Sequence, residues 1–365
     1  MGDAIDTFEL VRATPPLLTS VSAMLSESLR EISLDERTGN AFHCHRFGGT
    51  TEDKEAGATW CGRRLGTKID PERVVVTNGT QNSLLMLVTS LVGPGGILLT
   101  EALSYPQIGA ICDLIGATVK PIEIDELGVI PGDFRRCCEQ HRPNAVYLIP
   151  SIQNPTATIL PNDRRREVAE IARFYGVPII EDDAQAFLSP DAPQPIAAFA
   201  PEITWYVLTL SKSTSVGLRV GYFVSPNLEQ QDKVNALFKR MSMWFCSPIS
   251  AILATRWIND GTANRILDAI RSEMSARHQV LREELTCVSY QSSPNSLHVW
   301  LKGEGRLKDP NTITTLARTA GVQIRNWEEF RAAQNRGPVG ARVSLTSVDK
   351  ETLRMGLRIL NKALA

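Results

Sequence analysis

Lys212 directly follows Thr209, Leu210 and Ser211, and Arg219 comes shortly after in the stretch Gly217-Leu218-Arg219-Val220-Gly221-Tyr222. The group succeeds a strand-like run from Thr204 to Thr209, so an amine, two hydroxyls and a guanidinium fork crowd the end of one strand. A primary amine beside an anion cradle can hold a phosphorylated aldehyde as a Schiff base while gripping its phosphate. A lone Ser-Lys pair after a strand is more often an ordinary solvated lysine, so the rest of the chain has to supply the remaining chemistry.

The elements around it alternate. β-rich runs occur at Arg73–Thr77, Ile97–Thr100, Thr118–Ile124, Ala145–Ile149, Pro178–Glu181, Thr204–Thr209 and Val220–Val224. Between two of them, Asn162–Tyr175 carries Val168, Ile171, Ala172 and Tyr175 at helical spacing, with Gly176 to end the helix and Pro178 to open the next strand. Such alternation predicts an α/β protein with a mostly parallel seven-stranded sheet under covering helices. Ligands of such sheets gather beyond the carboxyl ends of the strands. Gly79, Asn154, Asp182 and Lys212 all fall there. After Ser225 the texture changes to a long helical region from Leu228 to about Ile270, a charged helix Arg271–Glu284, strand-like Leu297–Leu301 and Ala341–Thr346, and a closing helix Lys350–Leu364. The expected organisation is an N-terminal arm at 1–45, a large domain at 46–245 and a smaller α+β domain at 246–365.

Bulk properties narrow the partners. The 365 residues carry a net charge of −1, which gives no electrostatic reason to bind nucleic acid or an anionic membrane. Seven cysteines (44, 61, 112, 137, 138, 246 and 287) show no metal or disulfide spacing and fit reduced thiols. Cys137 and Cys138 read as packing residues of one helix. The N-terminus has neither a signal-peptide pattern nor a myristoylation signal, and no apolar run spans a bilayer, so a cytoplasmic location is expected.

Seven short motifs occur in order: Thr77-Asn78-Gly79-Thr80-Gln81, Ser104-Tyr105-Pro106, Asn154-Pro155-Thr156, Glu181-Asp182-Asp183, Thr209-Leu210-Ser211-Lys212, Gly217 to Tyr222, and a late Arg342-Val343-Ser344-Leu345. The order resembles the fold-type I aminotransferases that depend on pyridoxal phosphate, closest to the 2-aminoadipate/kynurenine type and the aminotransferase-like half of GntR-type regulators. It covers roughly 45–365 and implies the aspartate aminotransferase-like fold.

By that resemblance Lys212 forms the Schiff base and shuttles a proton, and Asp182 pairs with the pyridine nitrogen, with Asp183 as the alternative. Tyr105 stacks on the ring, and Asn154 donates to its phenolic oxygen. Gly79, Thr80 and Gln81 at a strand-to-helix turn, with Thr209, Ser211 and Arg219, cradle the phosphate. Arg342, with Asn154, receives the substrate carboxylate. A metal is not expected. The resemblance implies transfer of an amino group from an L-amino acid to a 2-oxo acid in ping-pong fashion by a homodimer. The alternative is another reaction on the same cofactor: a lyase, decarboxylase, racemase or oxidase in a specialised biosynthetic pathway. A DNA-binding regulator is disfavoured, since no basic recognition helix precedes the motifs.

Two positions depart from the family pattern. Gln185 stands where the family has a tyrosine that donates to the phenolic oxygen, and Phe47 stands where a tyrosine reaches the partner's phosphate. His43 and His45 lie near Phe47 and offer substitutes for its missing hydroxyl. With a weaker donor at 185, the bound cofactor's colour change with pH is expected at a higher midpoint than in tyrosine-bearing relatives.

Overall fold

The computed structural model describes residues 7–41, 43, 46–239, 245–333 and 337–365; His45 and Cys44 lie outside them. Its centre is a seven-stranded sheet of β1 (Val74–Thr77), β2 (Ile97–Glu101), β3 (Thr118–Ile122), β4 (Ala145–Leu148), β5 (Ile179–Asp182), β6 (Thr204–Thr209) and β7 (Gly221–Val224). The spatial order is β1-β7-β6-β5-β4-β2-β3. All neighbours run parallel except β7, which is antiparallel to both β1 and β6.

The strands are apolar on both faces because helices cover both. Val75, Leu98, Tyr147, Ile180, Val207 and Phe223 form one buried layer with Leu84 and Leu87 of the helix Thr80–Leu91. Val146, Leu148 and Ile179, their chain neighbours, pack the other way against Val168, Ile171 and Ala172 of the helix Asn162–Tyr175. Gly176 ends that helix as the sequence predicts, at φ 66° with its N–H on the Ala172 carbonyl.

A second, four-stranded sheet holds β8 (Tyr290–Gln291), β9 (His298–Lys302), β10 (Arg325–Asn326) and β11 (Gly340–Ser344), ordered β8-β9-β11-β10 and antiparallel throughout. Helices Thr262–Glu284 and Lys350–Leu364 pack with it. The first residues are built into this unit: Phe8–Glu9 pairs in parallel with Val322–Gln323, and a helix runs from Thr19 to Ser33.

Several expected boundaries move. The region Leu228 to Ile270 is not one helix but Leu228–Phe238, Pro248–Asn259 and the start of Thr262–Glu284, interrupted before Pro248 and at Gly261, whose φ is 79°. The charged run Arg271–Glu284 is the second half of that last helix. The third strand ends at Ile122, and Ile124–Asp125 instead pairs with Gly128–Val129. Cys137 and Cys138 are both buried on the helix Pro131–His141.

Candidate active site

Beyond the carboxyl ends of β4, β5 and β6 lies a cavity of about 270 Å3, closed on the far side by the four-stranded sheet and the segment Val11–Thr14. Of the residues singled out by motif, Thr80, Tyr105, Asn154, Asp182, Gln185, Lys212 and Arg342 line it. Gln81 and Arg219 line an adjoining hollow that shares Gln107 with it. Thr209 and Ser211 line neither: they are buried beneath Lys212 and bonded to each other at 3.1 Å. The Thr209 hydroxyl also reaches the Val220 carbonyl at 3.0 Å, so its one proton is committed inside the protein.

The two adjacent aspartates separate by strand alternation. Asp182 shares the face of Ile180 and Tyr147, and its Oδ2 accepts from the Tyr147 hydroxyl at 2.9 Å. Its Oδ1 accepts from the Ala184 N–H at 3.1 Å. Burial pushes this carboxyl up to about 6, against the pull of those two hydrogen bonds. Asp183 points away from the cavity, with Oδ2 accepting from Arg64 Nε at 2.9 Å and from the Tyr206 hydroxyl at 2.8 Å. Burial works against its charge, but Arg64 and Arg165 outweigh it and hold the pKa below the ordinary value.

Lys212 Nζ donates to the Ala13 carbonyl at 2.7 Å. Burial, then the cation of Arg342, draws the amine down to about 8, with Asp182 opposing. Neutral amine, the nucleophilic form, is therefore present near pH 8 rather than only above 10. Arg342 is 5% exposed. Its Nη1 donates to Asn154 Oδ1 at 2.8 Å and its Nη2 to the Val11 carbonyl at 2.7 Å. With its oxygen taken, Asn154 presents only its amide N–H groups as donors. The Asn154–Pro155 peptide is cis.

The turn after β1 is shaped for an anion. Gly79 has φ 78° and leads into the helix that starts at Thr80. A Cβ there would lie 3.4 Å from the Arg219 guanidinium carbon, and a Cβ on Gly221 would lie 2.9 Å from the Gly79 backbone. Glycine is required at 79 by its positive φ and at 221 by the close approach of the Gly79 backbone, and the turn so built sets the helix N–H groups beside Arg219. Tyr105 accepts from Gln81 Nε2 at 2.8 Å.

Gln185 differs from expectation in orientation. Its Nε2 donates to the Ile152 carbonyl at 3.1 Å, leaving Oε1 buried without a partner among the described residues. An amide so turned offers an acceptor where a donor was expected. Phe47 is 40% exposed and meets Phe245 edge-on at 5.6 Å. Among the described residues no His, Cys, Asp and Glu cluster could hold a metal.

Three residues of the site lie outside the sequence motifs. Tyr147 reads as plain core in a buried strand and gave no signal. His298 lines the cavity with its ring fully buried, Nε2 at 3.1 Å from the Gln153 carbonyl and Nδ1 unpartnered among the described residues. Burial, then Arg342, holds it well below the ordinary histidine value, hence neutral. A histidine inside Leu297-His298-Val299-Trp300-Leu301, otherwise apolar, was a usable signal. Arg325 also lines the cavity, from a two-residue strand with no sequence signature. Gln185 Oε1, His298 Nδ1 and Arg342 Nε are all buried and unpartnered among the described residues. Each costs about 1–3 kcal/mol unless a polar ligand meets it.

A buried amine within electrostatic reach of a buried carboxylate, beside a glycine-built anion turn on a β1-β7-β6-β5-β4-β2-β3 sheet, defines the fold-type I class of pyridoxal phosphate proteins. The profile of "Aminotransferase class I and II" matches residues 18–360. The chain belongs to that family, as the motif order implied. It is similar to the HTH-type transcriptional regulator YdeF of Bacillus subtilis, 25% identical over 99% of this chain and 80% of that one. It is also similar to 2-aminoadipate transaminase of Thermus thermophilus, 26% identical over 84% of this chain and 77% of that one. The crystal structure of LysN, alpha-aminoadipate aminotransferase of Thermus thermophilus, superposes with a TM-score of 0.84 over 98% of this chain and 92% of that one, at 22% identity. That likeness establishes the aspartate aminotransferase-like fold expected from the motifs. Some other curated relatives match over about half of their length, between 43% and 56%.

Proposed function

We propose that the chain is a pyridoxal phosphate-dependent aminotransferase that moves an amino group from an L-amino acid to a 2-oxo acid. The observation that carries this is the buried pair of Lys212 and Asp182 in one cavity with the Arg342 clamp. Pyridoxal phosphate, when bound, supplies an aldehyde for the amine and a ring that takes up the electrons of a breaking Cα–H bond. Lys212 holds and returns the proton at Cα. Asp182 keeps a proton on the ring nitrogen, and Tyr147 keeps Asp182 charged by donating to its Oδ2. Arg342 and Asn154 orient the α-carboxylate, which takes the place of the Val11 carbonyl or meets the unpartnered Nε. Gly79, Thr80, Gln81 and Arg219 receive the phosphate, while Thr209 fixes the backbone ahead of Lys212 by accepting from the Ser211 N–H. Tyr105 covers the ring.

The homodimer and its amino-acid and 2-oxo-acid substrates belong to the same reading. The exposed Phe47, at the position where the family reaches across to a partner, supports an assembled site. Mixing the protein with single L-amino acids and following the bound cofactor tests the reaction. Transamination leaves the amine form of the cofactor and releases the 2-oxo acid, whereas decarboxylation or racemisation leaves the aldehyde form.

Two further outcomes follow from the geometry. Tyr147→Phe removes the hydroxyl that lowers the Asp182 pKa, so the acid limb of the pH–rate profile should move upward by about one unit. An unmoved limb would mean that Tyr147 does not tune Asp182. Gln185→Tyr replaces an acceptor by a donor toward the phenolic oxygen, so the midpoint of the cofactor's colour change should fall. A midpoint that stays or rises in a spectroscopic pH titration contradicts the assignment of Gln185.

A further inference from the structure

Two diagonal neighbours on the four-stranded sheet hold two consecutive residues of the loop that follows β4. Trp300 of β9 lies directly opposite Arg342 of β11, and His298 is two residues from Trp300, so His298 and Arg342 leave the same face of the sheet. Arg342 Nη1 donates to the side chain of Asn154, at 2.8 Å from its Oδ1. His298 Nε2 lies 3.1 Å from the carbonyl of Gln153, the residue before it. A carbonyl can only accept, so Nε2 carries the ring's proton and Nδ1 a lone pair. The Gln153 carbonyl and the Asn154 nitrogen share one planar peptide. A donor on that oxygen therefore fixes the plane from which the Asn154 side chain departs.

That loop needs holding. Ile152 and Ala157, neither of them glycine, have φ of 52° and 58°. Left-handed backbone is costly for such residues and persists only where the surroundings impose it. Gln185 Nε2 holds the Ile152 carbonyl at 3.1 Å, and the Ser293 hydroxyl donates to that of Ala157. Inside the loop, Gln153 Oε1 accepts from the Thr156 N–H at 2.9 Å, and the Gln153 carbonyl from the Ala157 N–H at 2.7 Å. His298 supplies the backbone contact next to Asn154 from outside the loop. It does so at a cost that an apolar residue would avoid. The histidine is fully buried within Leu297-His298-Val299-Trp300-Leu301, and its Nδ1 has no partner among the described residues.

We propose that His298 is a positioning residue that acts through Asn154: by holding the Gln153–Asn154 peptide it aims the Asn154 amide N–H groups at the ligand, while Arg342 occupies the Asn154 oxygen. This rests on the reading of Asn154 and Arg342 as the site of the α-carboxylate. Without the His298 N–H the peptide is free to turn, and the donors offered to the α-carboxylate and to the cofactor's phenolic oxygen are misaimed together. Affinity for a carboxylate and the colour of the bound cofactor should therefore both respond.

His298→Phe keeps an aromatic ring and removes the N–H. Calorimetric titration of the cofactor-loaded variant with valerate, a plain monocarboxylate, should show binding weakened by about tenfold. The pH midpoint of the cofactor's colour change should rise by about half a unit or more, because a donor to the phenolic oxygen is misplaced. His298→Gln, whose amide N–H can reach the same carbonyl, should bind valerate within about threefold of the wild type. A double-mutant cycle with Asn154→Ala separates positioning from general damage. In that background His298→Phe should change valerate affinity by less than about twofold, since the side chain it positions is gone. Additive effects of the two substitutions overturn the proposal. So does a His298→Phe protein that binds valerate and titrates like the wild type, or a His298→Gln protein as impaired as His298→Phe. Where His298→Phe does not fold, His298→Asn, whose shorter amide stops short of the carbonyl, is read in its place. Failure of the underlying reading is seen separately, as loaded protein that lacks a borohydride-stable adduct at Lys212 or binds valerate unchanged in Arg342→Gln.

Discussion

Lys212→Met should lower turnover by about 10⁴-fold or more and abolish the borohydride-stable adduct, while leaving the protein folded. Among the described residues no other amine lines the cavity, and Arg12, Arg325 and Arg342 cannot replace it, because a guanidinium neither deprotonates nor forms a Schiff base at neutral pH. The substitution also has a sign in stability. Burial lowers the Lys212 pKa from 10.5 to about 8 in the folded protein. Between those values the unfolded chain binds more protons than the folded one, so the wild-type lysine makes stability rise with pH across that window. In cofactor-free Lys212→Met this contribution should vanish, and its Tm at pH 7 should be no lower than that of the wild type. Thermal melts at pH 7 and pH 10, alongside turnover, check both parts. A variant that retains more than about one part in a hundred of wild-type turnover would remove Lys212 from the chemistry.

Substitution of the two neighbouring aspartates should have opposite consequences. Asp182→Asn keeps size and hydrogen-bonding capacity but loses the charge, so turnover should fall by about 10²–10⁴-fold with Tm changed little. Asp183→Asn breaks the buried pair with Arg64, whose side chain is only 10% exposed, and leaves a cation without its counter-charge. That should cost about 3–5 kcal/mol of stability, with turnover of the folded fraction much less affected. Denaturant melts and steady-state kinetics on both variants separate the roles. If Asp183→Asn is the one that stops turnover in folded protein, the assignment is reversed.

Much of the site was legible because motif order and strand ends coincide. Lys212, Asn154 and Gly79 each follow a strand of the central sheet and Asp182 ends one, and the alternation carried out of β5 divides Asp182 from Asp183. What stayed hidden depends on side-chain direction or on long-range contact. The Gln185 amide is turned by the Ile152 carbonyl, 33 residues away in the chain. The Thr209 hydroxyl is spent on Val220 rather than on a ligand. Val11 and Ala13 reach the cavity because Leu10 pairs with Gln323 and Ser344, and no local pattern in the first residues announces that. The helices between Leu228 and Glu284 were misjoined because a continuous apolar and charged texture masked the breaks at Pro248 and Gly261.

The most direct measurement is borohydride reduction of protein incubated with pyridoxal phosphate, followed by peptide mapping. The expected result is loss of the visible absorbance with the reduced cofactor on the peptide that contains Lys212, and no such label in Lys212→Met. Absence of label, or label on any other lysine, would contradict the account.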